Sequence, residues 1–151
     1  MQKNEAQKLN PALQPFAVLI GEWRTEGRHP YFPGKIFHGR ASFEWMEGGA
    51  FIISRTQTDE PEIPSGISIL GSDDVAGTFY MLYFDERGIS RKLDVSIEGN
   101  VMTWSRSTPE FSQKHVLTIS SDGKTMESQG EMSKNGGAWE PDLQLTYTRE
   151  K

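Results

Sequence analysis

The chain has 151 residues, of which 35% are hydrophobic and 11% aromatic, and its formal net charge is −5 at pH 7. The apolar content suffices for one buried core, which excludes a disordered chain. The acidic charge argues against a nucleic-acid partner, because such proteins usually carry a basic face. The absence of cysteine excludes disulfides and thiolate metal sites.

The beginning of the chain contains no signal-peptide pattern, and no apolar run approaches the roughly 20 residues of a membrane helix. We therefore expect a cytoplasmic protein with no membrane partner and a flexible segment at 1–10. Asn10 followed by Pro11 is typical of a helix start. Leu13 and Phe16 then give a short apolar side, which predicts one or two helical turns lying across an end of the fold.

Apolar and polar residues alternate over most of the remaining chain. In the segment 89–97, for example, Leu93 and Val95 share one face and polar residues occupy the other. This period of two is typical of a half-buried antiparallel strand, and residues tolerant of positive φ interrupt it at short intervals. The pattern predicts ten strands, at 21–28, 35–46, 50–58, 62–72, 77–85, 89–97, 101–107, 111–119, 125–133 and 139–149.

Ten strands with short links and no crossover helix indicate an up-and-down meander. An open sheet of this kind leaves two unpaired edges, and closure removes them. We therefore predict an all-β fold, a single antiparallel up-and-down β-barrel of about ten strands with a short N-terminal helical turn. One domain is expected to cover 1–151, because no linker or internal repeat divides the chain.

A Gly-Glu-Trp segment at 21–23 opens the first predicted strand, and Arg149 stands close to the end of the last one. The segment resembles the Gly-x-Trp motif of lipocalins and other calycins, in which the Trp packs across the barrel floor, often beneath an Arg of the last strand. The resemblance implies that Gly21, Trp23 and Arg149 form the floor. A guanidinium over an indole is favourable by about 0.5–2 kcal/mol, and Gly21 would let the N-terminal turn come close.

The wider pattern at 21–27 and 43–51 resembles bacterial lipocalin-like domains of unknown function and, more distantly, the haem-binding nitrobindins. Relatives of this shape bind small apolar or amphipathic molecules inside the barrel. Nitrobindins bind haem through a His near the last strands, whereas 117–151 contains no His. We therefore expect no cofactor. The three His residues match no metal-ligand spacing, so no metal site is expected.

The segment 79–84 is apolar on both faces, with Met81 and Tyr83 on one side and Tyr80 and Leu82 on the other. One face must line the barrel. The other face needs cover from a partner chain, the N-terminal segment or a loop. A homodimer through this strand is one of these arrangements.

Two His residues occupy positions of interest. His29 stands in an aromatic loop between the first two strands, which is either a packed surface loop or part of a portal rim. In 111–119, Gln113 and His115 share a face with the apolar Leu117. If that face points inward, both polar side chains enter the lumen, unless His115 is a core residue satisfied by a neighbouring hydroxyl.

Two Arg residues share faces with apolar side chains, Arg91 in 89–97 and Arg55 next to Phe51. A buried cation is costly unless it is paired or hydrated. Each Arg therefore either reaches water at an open barrel end or anchors an anion in the cavity. Two inward Arg residues with His115 would suit a carboxylate or phosphate head group on an apolar tail.

The function expected from these patterns is binding of a small apolar or amphipathic molecule, either neutral or anionic, in the lumen. The predicted ligand-binding residues are Arg55, Met81, Tyr83, Arg91, Leu93, Val95, Gln113, His115 and Leu145. One alternative is an enzyme with His115 or Tyr83 as acid or base, and another is a filled barrel that serves as a protein-interaction module. No catalytic motif occurs, so no catalytic residue is predicted. A His bonded to a carboxylate beside the cavity would favour catalysis.

Overall fold

Every strand pairs with its neighbours along the chain and the first pairs with the last, so the sheet closes into a ten-stranded antiparallel barrel. The structure, a computed structural model, describes residues 9–151. The strands are β1 Gly21–Arg28, β2 Phe37–Met46, β3 Phe51–Thr58, β4 Gly66–Ser72, β5 Phe79–Asp85, β6 Ser90–Glu98, β7 Val101–Arg106, β8 Phe111–Ile119, β9 Thr125–Lys134 and β10 Glu140–Arg149. The predicted all-β closed barrel is confirmed.

The strand bounds agree with the predicted ones to within two residues, except at the start of β4. That strand begins at Gly66 rather than at 62. The preceding residues form a turn in which the Ile63 N–H donates to the Glu60 carbonyl at 3.3 Å. Pro61 and Pro64 flank this bond, and proline cannot donate a ladder hydrogen bond, so pairing starts later.

A 3-10 helix at Pro11–Leu19 precedes the barrel. Leu13, Phe16 and Leu19 are fully buried, and their spacing of three suits a helix with three residues per turn. Phe16 packs edge-on against Phe79 with ring centroids 4.9 Å apart. The helix therefore closes one end of the barrel, as the sequence predicted. No helix within residues 9–151 is long and apolar enough to cross a membrane.

Of the predicted flexible segment at 1–10, residues 1–8 lie outside the described residues. Its last residue, Asn10, is anchored. The Asn10 backbone N–H donates to the Gly49 carbonyl at 2.7 Å, and its side-chain amide donates to the Ala50 carbonyl at 3.1 Å. The Asn10 side chain also accepts the Ala12 N–H at 3.0 Å, so it caps the helix as its sequence position suggests.

The closed end, called the floor here, is built around Trp23 and Arg149. The Arg149 guanidinium carbon lies 4.2 Å from the centroid of the Trp23 ring. The fully buried Trp23 donates its indole N–H to the Leu19 carbonyl at 3.0 Å. Arg149 also donates to the Ile20 carbonyl at 2.6 Å and to the Val18 carbonyl at 2.5 Å. The expected Trp23–Arg149 contact is present, and it joins the last strand to the helix.

Gly21 lies against the C-terminal end of the chain. Its φ of 142° is a conformation that favours glycine. A Cβ at this position would collide with the Lys151 carbonyl oxygen and with the Arg149 guanidinium. The side-chain space at Gly21 is therefore occupied by the C-terminal end of the chain.

Candidate functional site

A cavity of about 550 Å³ occupies the barrel lumen. This volume lies within the range of small-molecule sites. Its walls are mainly apolar and reach from Tyr147 near the floor to Phe32 and Ile63 at the opposite end, called the mouth here. The interior is therefore not filled by side chains.

Two inward-facing glycines keep this space open. A Cβ on Gly130 would lie 2.6 Å from the His115 ring, and a Cβ on Gly66 would lie 3.1 Å from the Tyr83 ring. Each ring occupies the space above a glycine on the adjacent strand, as rings often do beside glycines in sheets. His115 and Tyr83 therefore lie along the wall and leave the lumen free.

Most of the predicted ligand-binding residues meet at this cavity. Those that line it are Met81, Tyr83, Arg91, Leu93, Gln113, His115 and Leu145. Val95 is buried in the hydrophobic core but is not part of the cavity wall. The sequence therefore placed Val95 correctly as an interior residue, although the open space does not extend to it.

Arg55 does not enter the lumen, so its predicted inward orientation is wrong. It lies on the outer surface, where its Nη1 donates to the Glu44 carboxylate at 2.5 Å. Strand β3 directs Ser54 and Thr56 to the cavity and Arg55, which lies between them, outward. The sequence misled because Ile52 and Ile53 are both buried, which hides the period of two at the start of the strand.

Arg91 carries a guanidinium into the lumen. Its Nη1 donates to the Gln113 side-chain carbonyl at 2.8 Å, and its guanidinium carbon lies 5.2 Å from the centroid of the Phe111 ring. Within the described part of the chain, no carboxylate comes within 4.0 Å of it. A guanidinium has five N–H donors, so most of those on Arg91 remain available to a ligand.

A polar chain continues from Arg91 to the rim of the cavity. The Gln113 amide nitrogen lies 3.5 Å from Asp142 Oδ2, and Asp142 Oδ1 lies 2.9 Å from His29 Nε2. The side chains of His29 and Asp142 are only 12% and 13% exposed. These contacts join the β1–β2 loop to β10 and β8. The loop therefore forms part of the portal rim, and His29, Tyr31 and Phe32 line the cavity.

The sequence analysis did not select Asp142, because a regular period of two along the last strand puts it on the outer face with Gln144, opposite to Leu145. The β9–β10 register shifts between Pro141 and Gln144. A bulge of this kind redirects side chains, and a proline inside a strand is a known marker of one. Pro141 was therefore the available signal that the alternation fails at Asp142.

The His29–Asp142 pair is the kind of arrangement that favours catalysis, so its proton positions matter. The Tyr31 backbone N–H donates to His29 Nδ1 at 3.1 Å. Nδ1 is therefore an acceptor, and Nε2 carries the proton donated to Asp142. Because neither nitrogen is free to take a proton from a substrate, the geometry favours a structural role in holding the loop.

His115 stacks on Trp104, with ring centroids 5.3 Å apart and 11° between the ring planes. The two residues are direct partners in the β7–β8 register. Burial lowers the pKa of His115, although the charge of Asp142 opposes this shift in part. His115 is therefore neutral at pH 7 and does not supply the cation that the sequence suggested.

Tyr83 donates its hydroxyl to Asp85 Oδ2 at 2.7 Å, and Arg87 Nη2 donates to the same oxygen at 2.7 Å. Burial, together with the bond to Asp85, raises the pKa of Tyr83 to about 12. The hydrogen bond from Arg87 is the main cause that lowers the pKa of Asp85 to about 2. A phenol with such a high pKa is poorly matched to acid–base work near neutral pH.

The fold and its lumen define a closed ten-stranded antiparallel β-barrel with a cavity of ligand size. The crystal structure of Rv2717c from M. tuberculosis matches this chain with a TM-score of 0.65 at 18% identity, covering 95% of this chain and 100% of that chain. The two proteins therefore share the fold. A protein of unknown function from Nostoc punctiforme, of the DUF3598 family, covers 93% of this chain and 100% of its own at 6% identity, with a TM-score of only 0.28. No family model and no curated protein match the sequence.

Proposed function

We propose that this protein binds a small amphipathic molecule in the barrel lumen, with the apolar part against the walls and an anionic group at Arg91. The observation that carries the proposal is a mainly apolar cavity of about 550 Å³ into which Arg91 projects. Within residues 9–151 that Arg has no carboxylate partner within 4.0 Å.

The apolar walls would provide most of the binding free energy. Met81, Leu93 and Leu145 line the cavity, and covering apolar surface contributes about 25 cal/mol per Å². This term does not distinguish an anion from a neutral molecule of the same shape. It therefore favours any apolar chain or ring system that fits the lumen.

Arg91 would select the head group. Hydrogen bonds to charged groups contribute about 1.5–3 kcal/mol, and a guanidinium can hold a carboxylate through two of them. Asp142 does not neutralise Arg91 directly, because the Gln113 side chain lies between them, 2.8 Å from Arg91 and 3.5 Å from Asp142. An anion at the guanidinium would provide the missing countercharge.

The Gly-x-Trp segment and the Trp23–Arg149 contact, at 4.2 Å, also support a lipocalin-like classification within the calycin superfamily. Barrels of that kind hold small ligands in the lumen. The proposal further includes a cytoplasmic location and a site without a resident cofactor.

The test compares an anion with a neutral molecule of equal length. Dodecanoate and dodecanol are titrated by calorimetry and by displacement of a fluorescent fatty-acid probe. We expect dodecanoate to bind at least about tenfold more tightly, since 1.4 kcal/mol corresponds to a factor of ten. Arg91→Met keeps the apolar volume and should reduce this ratio towards one.

Arg55→Met is the matched control, because it removes a guanidinium from the outer surface and should leave the ratio unchanged. Equal affinity for both probes in the wild-type protein would overturn the role of Arg91. Failure of both probes to bind would overturn the proposed function itself.

A further inference from the structure

The lower wall of the lumen carries polar groups that the protein leaves without partners. Four such side chains lie on four consecutive strands, and together they are called the inner polar wall: His115 on β8, Ser128 on β9, Tyr147 on β10 and Thr25 on β1. Ser128, Thr25 and Tyr147 are 2%, 4% and 6% exposed. Among residues 9–151, every side-chain nitrogen or oxygen that is fully shielded from solvent has a hydrogen-bond partner. The polar atoms of the inner polar wall have no such partner in the protein. They are therefore not fully shielded, and they face the cavity.

The strand register arranges these residues on one diagonal. His115 lies opposite Gly130, which is one inward position from Ser128. Tyr147 lies diagonally next to Ser128 across the β9–β10 pair and directly opposite Thr25. Diagonal neighbours on one sheet face are about 7–8 Å apart, within reach of long side chains. The diagonal descends towards the floor.

All four groups are neutral at pH 7. Burial lowers the pKa of His115 and raises the pKa of Tyr147 to about 12. Each of the four can donate a hydrogen bond, yet none offers a charge to balance an anion. Buried polar groups are ordinarily hydrogen-bonded, so this set is suited to a neutral oxygen.

We propose that the inner polar wall binds a neutral oxygen function, a hydroxyl or a carbonyl, at the end of the ligand opposite Arg91. This inference rests on the proposed function, because it concerns the same lumen. The ligand is then polar at both ends, with its anionic group near the mouth, a neutral oxygen near the floor and apolar atoms between them.

Dodecanoate and ω-hydroxydodecanoate test this inference, because they differ only at the end remote from the carboxylate. In the wild-type protein we expect the hydroxy acid to bind at least as tightly as dodecanoate. The double variant Tyr147→Phe with Ser128→Ala removes two partners of the ligand's ω-hydroxyl. In this variant the hydroxy acid should bind about tenfold more weakly relative to dodecanoate, as expected for a buried polar group that loses its partners.

Tyr80→Phe is the matched control, because Tyr80 lies beneath Lys92 on the outer surface of β5 and is not part of the cavity wall, and it should leave the affinity ratio unchanged. If both acids bind but the ratio is the same in the wild type and in the double variant, the inner polar wall has no such role and the proposed function stands. If the hydroxy acid binds tenfold more weakly in the wild type, the inference is also wrong. Failure of both acids to bind overturns the proposed function.

Discussion

Truncation of Trp23 tests whether the floor holds the barrel together. Trp23 is 0% exposed, donates to the Leu19 carbonyl at 3.0 Å and lies 4.2 Å from the Arg149 guanidinium carbon. Removing a large buried aromatic side chain costs about 3–5 kcal/mol, because the site collapses only partly. Of this, the cation over the ring accounts for about 0.5–2 kcal/mol. Trp23→Ala should therefore remove a large share of a typical stability of about 5–15 kcal/mol.

Urea unfolding followed by circular dichroism gives the free energy of unfolding for the wild type, Trp23→Ala, Arg149→Met and the double variant. The double-mutant cycle should yield a coupling energy of about 0.5–2 kcal/mol. Arg149→Met alone should lower the free energy of unfolding by more than this coupling energy, since Arg149 also donates to the Val18 and Ile20 carbonyls. Trp139→Ala is the matched control, because Trp139 is 50% exposed.

The control should cost no more than about 1 kcal/mol, as surface substitutions usually do. If Trp23→Ala costs no more than Trp139→Ala, the floor does not hold the fold. If the two single substitutions at Trp23 and Arg149 are simply additive, the cation–aromatic contact contributes nothing measurable, and the reasoning from the Gly-x-Trp segment is refuted.

Two further predictions concern residues that support the side chains of the cavity wall. Gly130→Ala would place a methyl group 2.6 Å from the His115 ring and 2.9 Å from the Leu143 carbonyl. It should destabilise the fold by about 1–3 kcal/mol, and an unchanged urea midpoint would contradict the packing of His115 on this glycine. The Arg87 hydrogen bond lowers the pKa of Asp85 to about 2, so the resulting stabilisation is present above about pH 4 and is lost as the pH falls towards 2. Asp85→Asn should flatten the dependence of the urea midpoint on pH in that range. If the midpoints of the variant and the wild type change with pH to the same extent, Asp85 does not contribute this stabilisation.

The barrel could be predicted from the sequence because its determinants are local. In a strand with one buried face, apolar and polar residues alternate along the sequence, and the residues between strands must tolerate positive φ. In β6, Arg91 and Leu93 share a face that alternates with Lys92 and Asp94, and that face lines the cavity. Similarly, the Gly-x-Trp segment and Arg149 marked the floor, because both ends of a closed meander must meet in space.

The inner polar wall was also open to sequence reasoning in part. In β9, Met126, Ser128 and Met132 alternate with the charged Glu127 and Glu131. This alternation is sufficient to direct Ser128 inward. The neutrality of His115 was not accessible in this way, because it depends on burial by residues from several strands.

What only the tertiary structure decided depends on contacts between distant parts of the chain. Ile52 and Ile53 are both buried, so the period of two did not show that Arg55 points outward to Glu44. A bulge after Pro141 turns Asp142 towards His29, from which it is separated by 113 positions along the chain. No local pattern predicts whether the lumen is open. Its volume depends on how the side chains of all ten strands pack inside the closed barrel. The sequence alone determined most of the residues that form the wall, because the period of two is local, and the closure of the barrel determined which of them meet.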